Sequence, residues 1–131
     1  MENEAKRAKR GIIIAFSVLV CILLVIAVIF FMYRSQHTFS QEKWLSNASE
    51  RYMIVDDMLE KHPLIGISED NVIALLGAED GDGQSSFKLS DKNYPPETTL
   101  VYYLGVEYMD DMWLIISTDN GTVTEYCIDV T

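Results

Sequence analysis

Residues 98–129, with the sequence TTLVYYLGVEYMDDMWLIISTDNGTVTEYCID, decide the fold of this chain. Three segments within this stretch, 98–104, 112–117 and 122–129, are rich in the β-branched and aromatic residues that favour strands. The last two segments are joined by a link that contains Asn120-Gly121, the strongest short signal for a tight hairpin. We therefore predict a three-stranded antiparallel meander in this part of the chain.

A first helix is predicted upstream of these strands. It begins near Asn47, because Glu50 completes the spacing of a capping box, and it ends at His62-Pro63, because the residue before a proline avoids the helical region. Arg51 falls largely outside the apolar stripe of this helix and is expected on its polar side. The stripe consists of Tyr52, Val55 and Leu59.

A second helix is predicted between Ser68 and Gly77. Ser68 is a favourable N-cap residue, and Gly77 is the residue type that ends a helix in a left-handed conformation. A further short strand is predicted at residues 87–89. Together these signals predict an α+β fold in which two helices pack on a three-stranded antiparallel meander.

Residues 11–33, GIIIAFSVLVCILLVIAVIFFMY, form an apolar run without a charged side chain. As a helix this run would be about 34 Å long, enough for a hydrocarbon core of about 30 Å. A cleaved signal peptide would have a shorter apolar core and a small-residue cleavage site. A lipoprotein signal would have its cysteine at the end of the run, whereas twelve residues of the run follow Cys21. We favour an uncleaved signal anchor that crosses the lipid bilayer through residues 11–33.

Opposite charges flank this apolar run. Residues 1–10 contain four basic and two acidic side chains, whereas residues 34–131 contain six basic and eighteen acidic ones, a net charge of −12. Basic residues beside an apolar span stay in the cytoplasm. We therefore predict a single-pass protein of the cell membrane (inner or plasma membrane) with a cytoplasmic N-terminus and an extracytoplasmic C-terminal domain. An acidic domain is a poor partner for nucleic acid, whose phosphates require lysine and arginine.

The chain divides into four predicted regions. Residues 1–10 are a basic cytoplasmic tail, residues 11–33 the transmembrane anchor, and residues 34–48 a connector with a short helix. Residues 49–131 form the extracytoplasmic α+β domain.

The first two strands of the predicted sheet are apolar on both faces, although the two helices can cover only one face. Either residues 85–97, with Phe87, Leu89 and Tyr94, fold over the second face, or that face is an exposed patch for a partner or for self-association. Aromatic residues are enriched among the anchors of protein interfaces. The candidate anchors of such a patch are Tyr102, Tyr103 and Trp113.

The acidic loop within residues 79–91 is the best candidate for a metal site. Asp80, Asp82 and Gln84 occupy positions 1, 3 and 5 of a calcium-binding loop, and Asp91 occupies position 12. Ser85 stands where that loop requires glycine, and strand-like residues follow instead of a helix. Calcium binding and a solvated acidic loop are thus both open interpretations of this segment.

No arrangement of residues indicates catalysis. The two histidines, His37 and His62, lie in the connector and at a helix end, so a serine–histidine–aspartate arrangement has no obvious basis. Asp110-Asp111 lies in a predicted turn, where two carboxylates are ordinarily solvated. We expect a non-catalytic protein that needs no cofactor.

Three segments resemble the SmpA/OmlA-type superfamily of small bacterial envelope lipoproteins. They are LIGISEDNVIALLGAED at 64–80, TTLVYYLG at 98–105 and MWLIISTDNGTVTEY at 112–126. Closer still is the resemblance to uncharacterised single-pass bacterial membrane proteins. The founding members of the superfamily are lipoproteins that stabilise an outer-membrane barrel-assembly machine, whereas this chain has an anchor helix and no lipid-attachment motif. The resemblance implies a two-helix-on-sheet fold and the role of an accessory, non-catalytic binding module.

Two functions are therefore expected from the sequence. The first is an extracytoplasmic interaction or scaffold module that binds an envelope protein. The alternative is an extracytoplasmic sensor or ligand-binding domain, with calcium in the 79–91 loop as one ligand.

Overall fold

The computed structural model of the chain describes residues 1–81, 87–89 and 92–130. It contains two compact units, residues 1–36 and 37–131. The first unit is one helix, α1 (Glu2–Gln36), which includes the basic tail as well as the apolar run and contains no buried residue. By length and composition, α1 is long and apolar enough to cross a membrane.

The second unit has a helical half followed by a β half, and this segregation of helices and strands defines an α+β fold. The strands β3, β4 and β5 form a three-stranded antiparallel sheet in chain order, and β1 and β2 pair separately as a short antiparallel hairpin. The elements are α2 (Gln41–Ser46), a 3₁₀ segment (Ala48–Met53), α3 (Val55–Lys61), α4 (Glu69–Leu76), β1 (Phe87–Leu89), β2 (Lys92–Tyr94), a 3₁₀ turn (Pro96–Thr98), β3 (Thr99–Glu107), β4 (Asp110–Asp119) and β5 (Thr122–Val130).

Local signals in the sequence predicted several of these elements correctly. Asn120 and Gly121 form the two-residue turn between β4 and β5 with φ values of +50° and +76°, as a type I′ hairpin requires. The Ser68 hydroxyl accepts a hydrogen bond from the Asn71 N–H at the start of α4, and Gly77 ends that helix with φ +80°. The α+β class, the meander and the short strand at residues 87–89 are therefore confirmed.

The first of the two helices predicted for the domain is not continuous. It is divided into a 3₁₀ segment and α3, and α2 lies before both, in the segment predicted as a connector with a short helix. The Asn47 side chain accepts a hydrogen bond from the Ser49 N–H and thereby caps the 3₁₀ segment. Tertiary contacts explain the departure from a regular amphipathic helix, because they direct Arg51 into the protein, where it is only 5 % exposed.

The main core lies between the helical layer and one face of the sheet, which we call the inner face. Trp44 of α2 belongs to this core and is 0 % exposed. Part of the segment predicted as a connector with a short helix is therefore integral to the folded unit that starts at His37. The buried core residues are Trp44, Ile54, Val55, Met58, Leu64, Val72, Leu76, Leu100, Tyr102, Leu104, Leu114, Ile116 and Val123.

The opposite, outer face of the sheet has a smaller apolar cluster. Val101 and Ile115 are buried at its centre, and Tyr94 of β2, Trp113 and Cys127 pack around them. The Tyr94 hydroxyl lies 3.9 Å from the Cys127 sulfur. Residue 94 therefore covers part of the outer face, as one of the two sequence interpretations expected, and the side chains of residues 87–89 lie outside the described part of the chain.

Candidate functional site

Tyr102 is part of the core. Its side chain is 0 % exposed, its ring centroid lies 6.2 Å from that of Trp44, and its hydroxyl donates a hydrogen bond of 2.9 Å to the Gly77 carbonyl. Burial, and secondarily the Glu79 carboxylate, raises the pKa of this phenol well above its usual value. Tyr102 therefore connects β3 to the end of α4, and only Tyr103 and Trp113 of the three candidate anchors remain accessible to a partner.

Tyr103 and Trp113 form a half-buried aromatic pair on the outer face. They lie opposite each other on β3 and β4, with their ring centroids 5.2 Å apart in an edge-to-face arrangement. The Tyr103 hydroxyl donates a hydrogen bond of 3.2 Å to Asp111 Oδ1. Desolvation and the Asp111 carboxylate raise the pKa of Tyr103. This geometry gives the pair one defined orientation, which suits a contact surface.

The turn between β3 and β4 exposes large apolar side chains that the sequence analysis did not single out. Tyr108 is 97 % exposed, Met109 is 93 % exposed and Val106 is 50 % exposed. Tyr108 has φ +59°, a left-handed conformation that is costly for a residue other than glycine. We call Val106, Tyr108 and Met109 the tip surface. The sequence feature that could have indicated this surface is Tyr108-Met109, a pair of large side chains at a turn, where glycine and asparagine are the usual residues.

Asp80, the first residue of the candidate calcium loop, binds Arg51. Asp80 Oδ2 accepts hydrogen bonds from Arg51 Nη1 at 2.7 Å and from the Tyr103 N–H at 2.9 Å. The Asp80 N–H donates to the Val101 carbonyl at 2.8 Å. This carboxylate oxygen thus has a structural role beside β3. The other three candidate ligands, Asp82, Gln84 and Asp91, lie outside the described residues, and within the described ones no three acidic, histidine or cysteine side chains form a metal-sized group.

Arg51 is the buried charge that the sequence analysis missed. Its Nε donates to the Trp44 carbonyl at 2.8 Å, and its Nη1 donates to the Tyr103 carbonyl at 3.1 Å as well as to Asp80. The guanidinium carbon lies 4.9 Å from the centre of the Trp44 ring, a cation–π distance. Helical periodicity assigns Arg51 to the polar side, and two of its hydrogen-bond partners, Asp80 and Tyr103, are distant in sequence, so the periodicity did not identify it.

Arg51 and residues 79–80 close the outer edge of β3. Glu79 Oε2 accepts a hydrogen bond of 2.8 Å from the Val101 N–H, and Asp80 and Arg51 bind the remaining backbone groups of Val101 and Tyr103. Unpaired backbone groups on an edge strand can bind another strand. At these two residues the β3 edge is therefore unavailable to a partner.

Comparisons with protein-family models, with curated proteins and with solved structures returned no match.

Proposed function

We propose that this chain is a membrane-anchored, non-catalytic protein-interaction module of the bacterial cell envelope. In this proposal α1 crosses the inner membrane, the four basic residues before the apolar run stay in the cytoplasm, and unit 37–131 lies outside. The orientation in this proposal follows from these basic residues, because acidic residues contribute little to it.

The exposure of the tip surface is the main support for this proposal. Two adjacent large apolar side chains are almost fully exposed, and one of them lies on a residue with positive φ. Both features cost free energy in an isolated domain, by about 1–2 kcal/mol for the left-handed residue alone. Exposed apolar surface of this kind marks contact sites, so a partner that buries Tyr108 and Met109 accounts for it.

The aromatic pair extends this surface along the outer face. Val106 lies opposite Asp111, and Asp111 accepts the hydrogen bond from Tyr103. Tyrosine and tryptophan often dominate binding energy because they bury large areas with little loss of conformational entropy. Tyr103 and Trp113 are therefore the anchors that we expect beside the tip surface.

Site-specific photocrosslinking in the native cell tests this function. A benzoylphenylalanine at position 108 should capture one discrete envelope protein, and Met109→Ser combined with that probe should reduce the yield. The same probe at Asp119, an exposed position at the opposite end of β4, provides the matched control and should give no such product. Equal capture from both positions, or no product from position 108, would refute the proposal.

A further inference from the structure

We infer that the free edge of β5 binds an extended segment of a partner protein whose basic residues face Glu125 and Asp129. This inference rests on the proposed function and names a second contact and the chemistry of its ligand.

The first part of this edge already pairs with an extended segment of the same chain. The Gly66 N–H donates to the Val123 carbonyl at 2.8 Å, and the Val123 N–H donates to the Ile67 carbonyl at 2.9 Å. The Ser68–Thr122 bridge is antiparallel. The β5 edge therefore has the geometry to accept an antiparallel strand.

This pairing stops at an irregularity in β5. Val123 lies opposite Thr118 while Glu125 lies opposite Ser117, so Thr124 is an extra residue, as in a β-bulge. Beyond it, Tyr126 and Ile128 lie opposite the core residues Ile116 and Leu114, and they share the inner face with Val123.

The backbone of β5 beyond the bulge is directed outwards. Within one strand, residues whose side chains share a face direct their N–H and C=O groups to the same side. Val123 directs its groups away from β4, towards Gly66 and Ile67, so Tyr126 and Ile128 do the same. Within the described residues, no backbone segment pairs with this part of the edge. It differs in this respect from β3, whose edge is closed by Arg51 and residues 79–80.

The side chains along this edge define the ligand. Tyr126 and Ile128 are 37 % and 38 % exposed on the inner face, whereas Glu125 and Asp129 lie on the outer face on either side of Cys127. Opposite charges across neighbouring strands stabilise their pairing. The complementary strand therefore has the pattern basic–apolar–any–apolar–basic, which fits the strand-addition mode of peptide recognition.

A second copy of the chain is a poor occupant of the same edge. An antiparallel pairing centred on Cys127 would bring Glu125 of each copy opposite Asp129 of the other, and like charges directly opposite are destabilising. Each copy also has a net charge of −12 over residues 34–131, from six basic and eighteen acidic side chains. These carboxylates therefore oppose self-pairing and favour a basic strand.

A charge-swap binding experiment tests the inference. The full chain in neutral detergent is titrated with a fluorescent peptide whose centre is Lys-Val-Thr-Val-Lys, and with its Glu-Val-Thr-Val-Glu counterpart. The wild type should bind the lysine peptide at least about tenfold more tightly. The Glu125→Lys/Asp129→Lys variant should reverse that preference. The Glu42→Lys/Glu60→Lys variant changes the net charge equally at exposed helical positions and should retain the wild-type order.

Three results would overturn the inference. They are equal binding of both peptides, no binding of either peptide, and loss of the preference in the helical control variant. A disulfide-linked dimer through Cys127 in a Cys21→Ala chain would assign the edge to a second copy instead. The photocrosslink from position 108 is a separate measurement, so failure at β5 and failure of the proposed function are distinguishable.

Discussion

Arg51 shows that the surroundings of a charged side chain decide whether it can be buried. Its side chain is 7 % exposed, and its nitrogens bind one carboxylate and two backbone carbonyls from three separate segments of the chain. Such a group is tolerated in the interior because each of these donors has an acceptor. Removal of the guanidinium would leave the two carbonyls without this donor, and Asp80 without its positively charged partner.

We predict that Arg51→Met lowers the free energy of unfolding by about 3 kcal/mol, since it leaves Asp80 and two carbonyls without their shared donor. The matched control is Lys61→Met, which removes a half-exposed ion pair to Asp57 and should cost less than about 1 kcal/mol. Urea unfolding followed by tryptophan fluorescence measures both values. Equal losses in the two variants would contradict the structural role of Arg51.

The two interpretations of Asp80 make different predictions about calcium. If Asp80 acts as the partner of Arg51, Asp80→Asn should lower the melting temperature by the same amount in calcium and in EDTA. We expect this result because Asp80 Oδ2 already accepts two hydrogen bonds. Differential scanning fluorimetry measures the shift. A wild-type stabilisation by calcium that Asp80→Asn abolishes would support the calcium site instead.

Gly105 permits a close approach between the 3₁₀ segment Ala48–Met53 and β3. It has φ +128°, and a Cβ atom there would collide with the Ser49 carbonyl oxygen and the Tyr52 ring. Gly105→Ala should therefore lower the stability by about 3 kcal/mol or more, through backbone strain together with overpacking. Gly66→Ala is the control, because Gly66 also has a positive φ, +87°, but a Cβ atom there would meet nothing within 4 Å. This variant should lose about 1 kcal/mol of stability, from backbone strain alone. Thermal unfolding of both variants tests this difference.

At the level of whole elements, Tyr102 joins the C-terminus of α4 to β3. Its hydroxyl donates to Gly77, and burial raises its pKa above the ordinary value of 10.0. Desolvation and contact with Cys127 likewise raise the pKa of Tyr94 to about 12. Both phenols must lose their protons more readily in the unfolded chain than in the folded protein. The contact between the helical layer and the sheet therefore depends on the neutral form of Tyr102.

The raised pKa of Tyr102 predicts an alkaline loss of stability. The contribution of Tyr102 to the free energy of unfolding is fully present below pH 10 and decreases as the pH rises above it. This decrease has a slope of at most about 1.4 kcal/mol per pH unit. Tyr102→Phe should cost about 1 kcal/mol at neutral pH and should reduce this slope. Urea unfolding between pH 8 and 12 measures both. An unchanged slope in the variant would contradict the assignment.

At the level of the whole molecule, the proposed topology places the ends of α1 on opposite sides of the membrane. Single cysteines at Asn3 and at Asp119, in a chain without Cys21 and Cys127, report on the two sides. We expect a membrane-impermeant maleimide to label the Asp119→Cys variant in spheroplasts, and to label the Asn3→Cys variant only after the membrane is opened. Both substituted residues are exposed, so burial cannot explain a difference. The reverse labelling pattern would refute the orientation.

Features with local causes were predictable from the sequence. Steric and hydrogen-bonding preferences act directly between residues that are close in the chain. Such preferences explain the Asn120-Gly121 turn, the Ser68 N-cap, the end of α4 at Gly77 and the strands rich in β-branched and aromatic residues. The apolar run likewise indicates a long helix from composition alone. The candidate site was predictable only in part, since Tyr103 and Trp113 lie on the outer face but Tyr102 and Arg51 are buried.

Local sequence determines where helices and strands start and stop, because capping and turn preferences need only neighbouring residues. The tertiary structure alone decides which residues are enclosed and which edges stay open. Arg51 is enclosed by partners from three separate segments, and the β3 edge is closed by residues 79–80. Among the described residues, no backbone segment pairs with the outer edge of β5 beyond Thr124. The physical reason is that burial and hydrogen-bond satisfaction depend on groups far apart in sequence, which meet only in the folded protein.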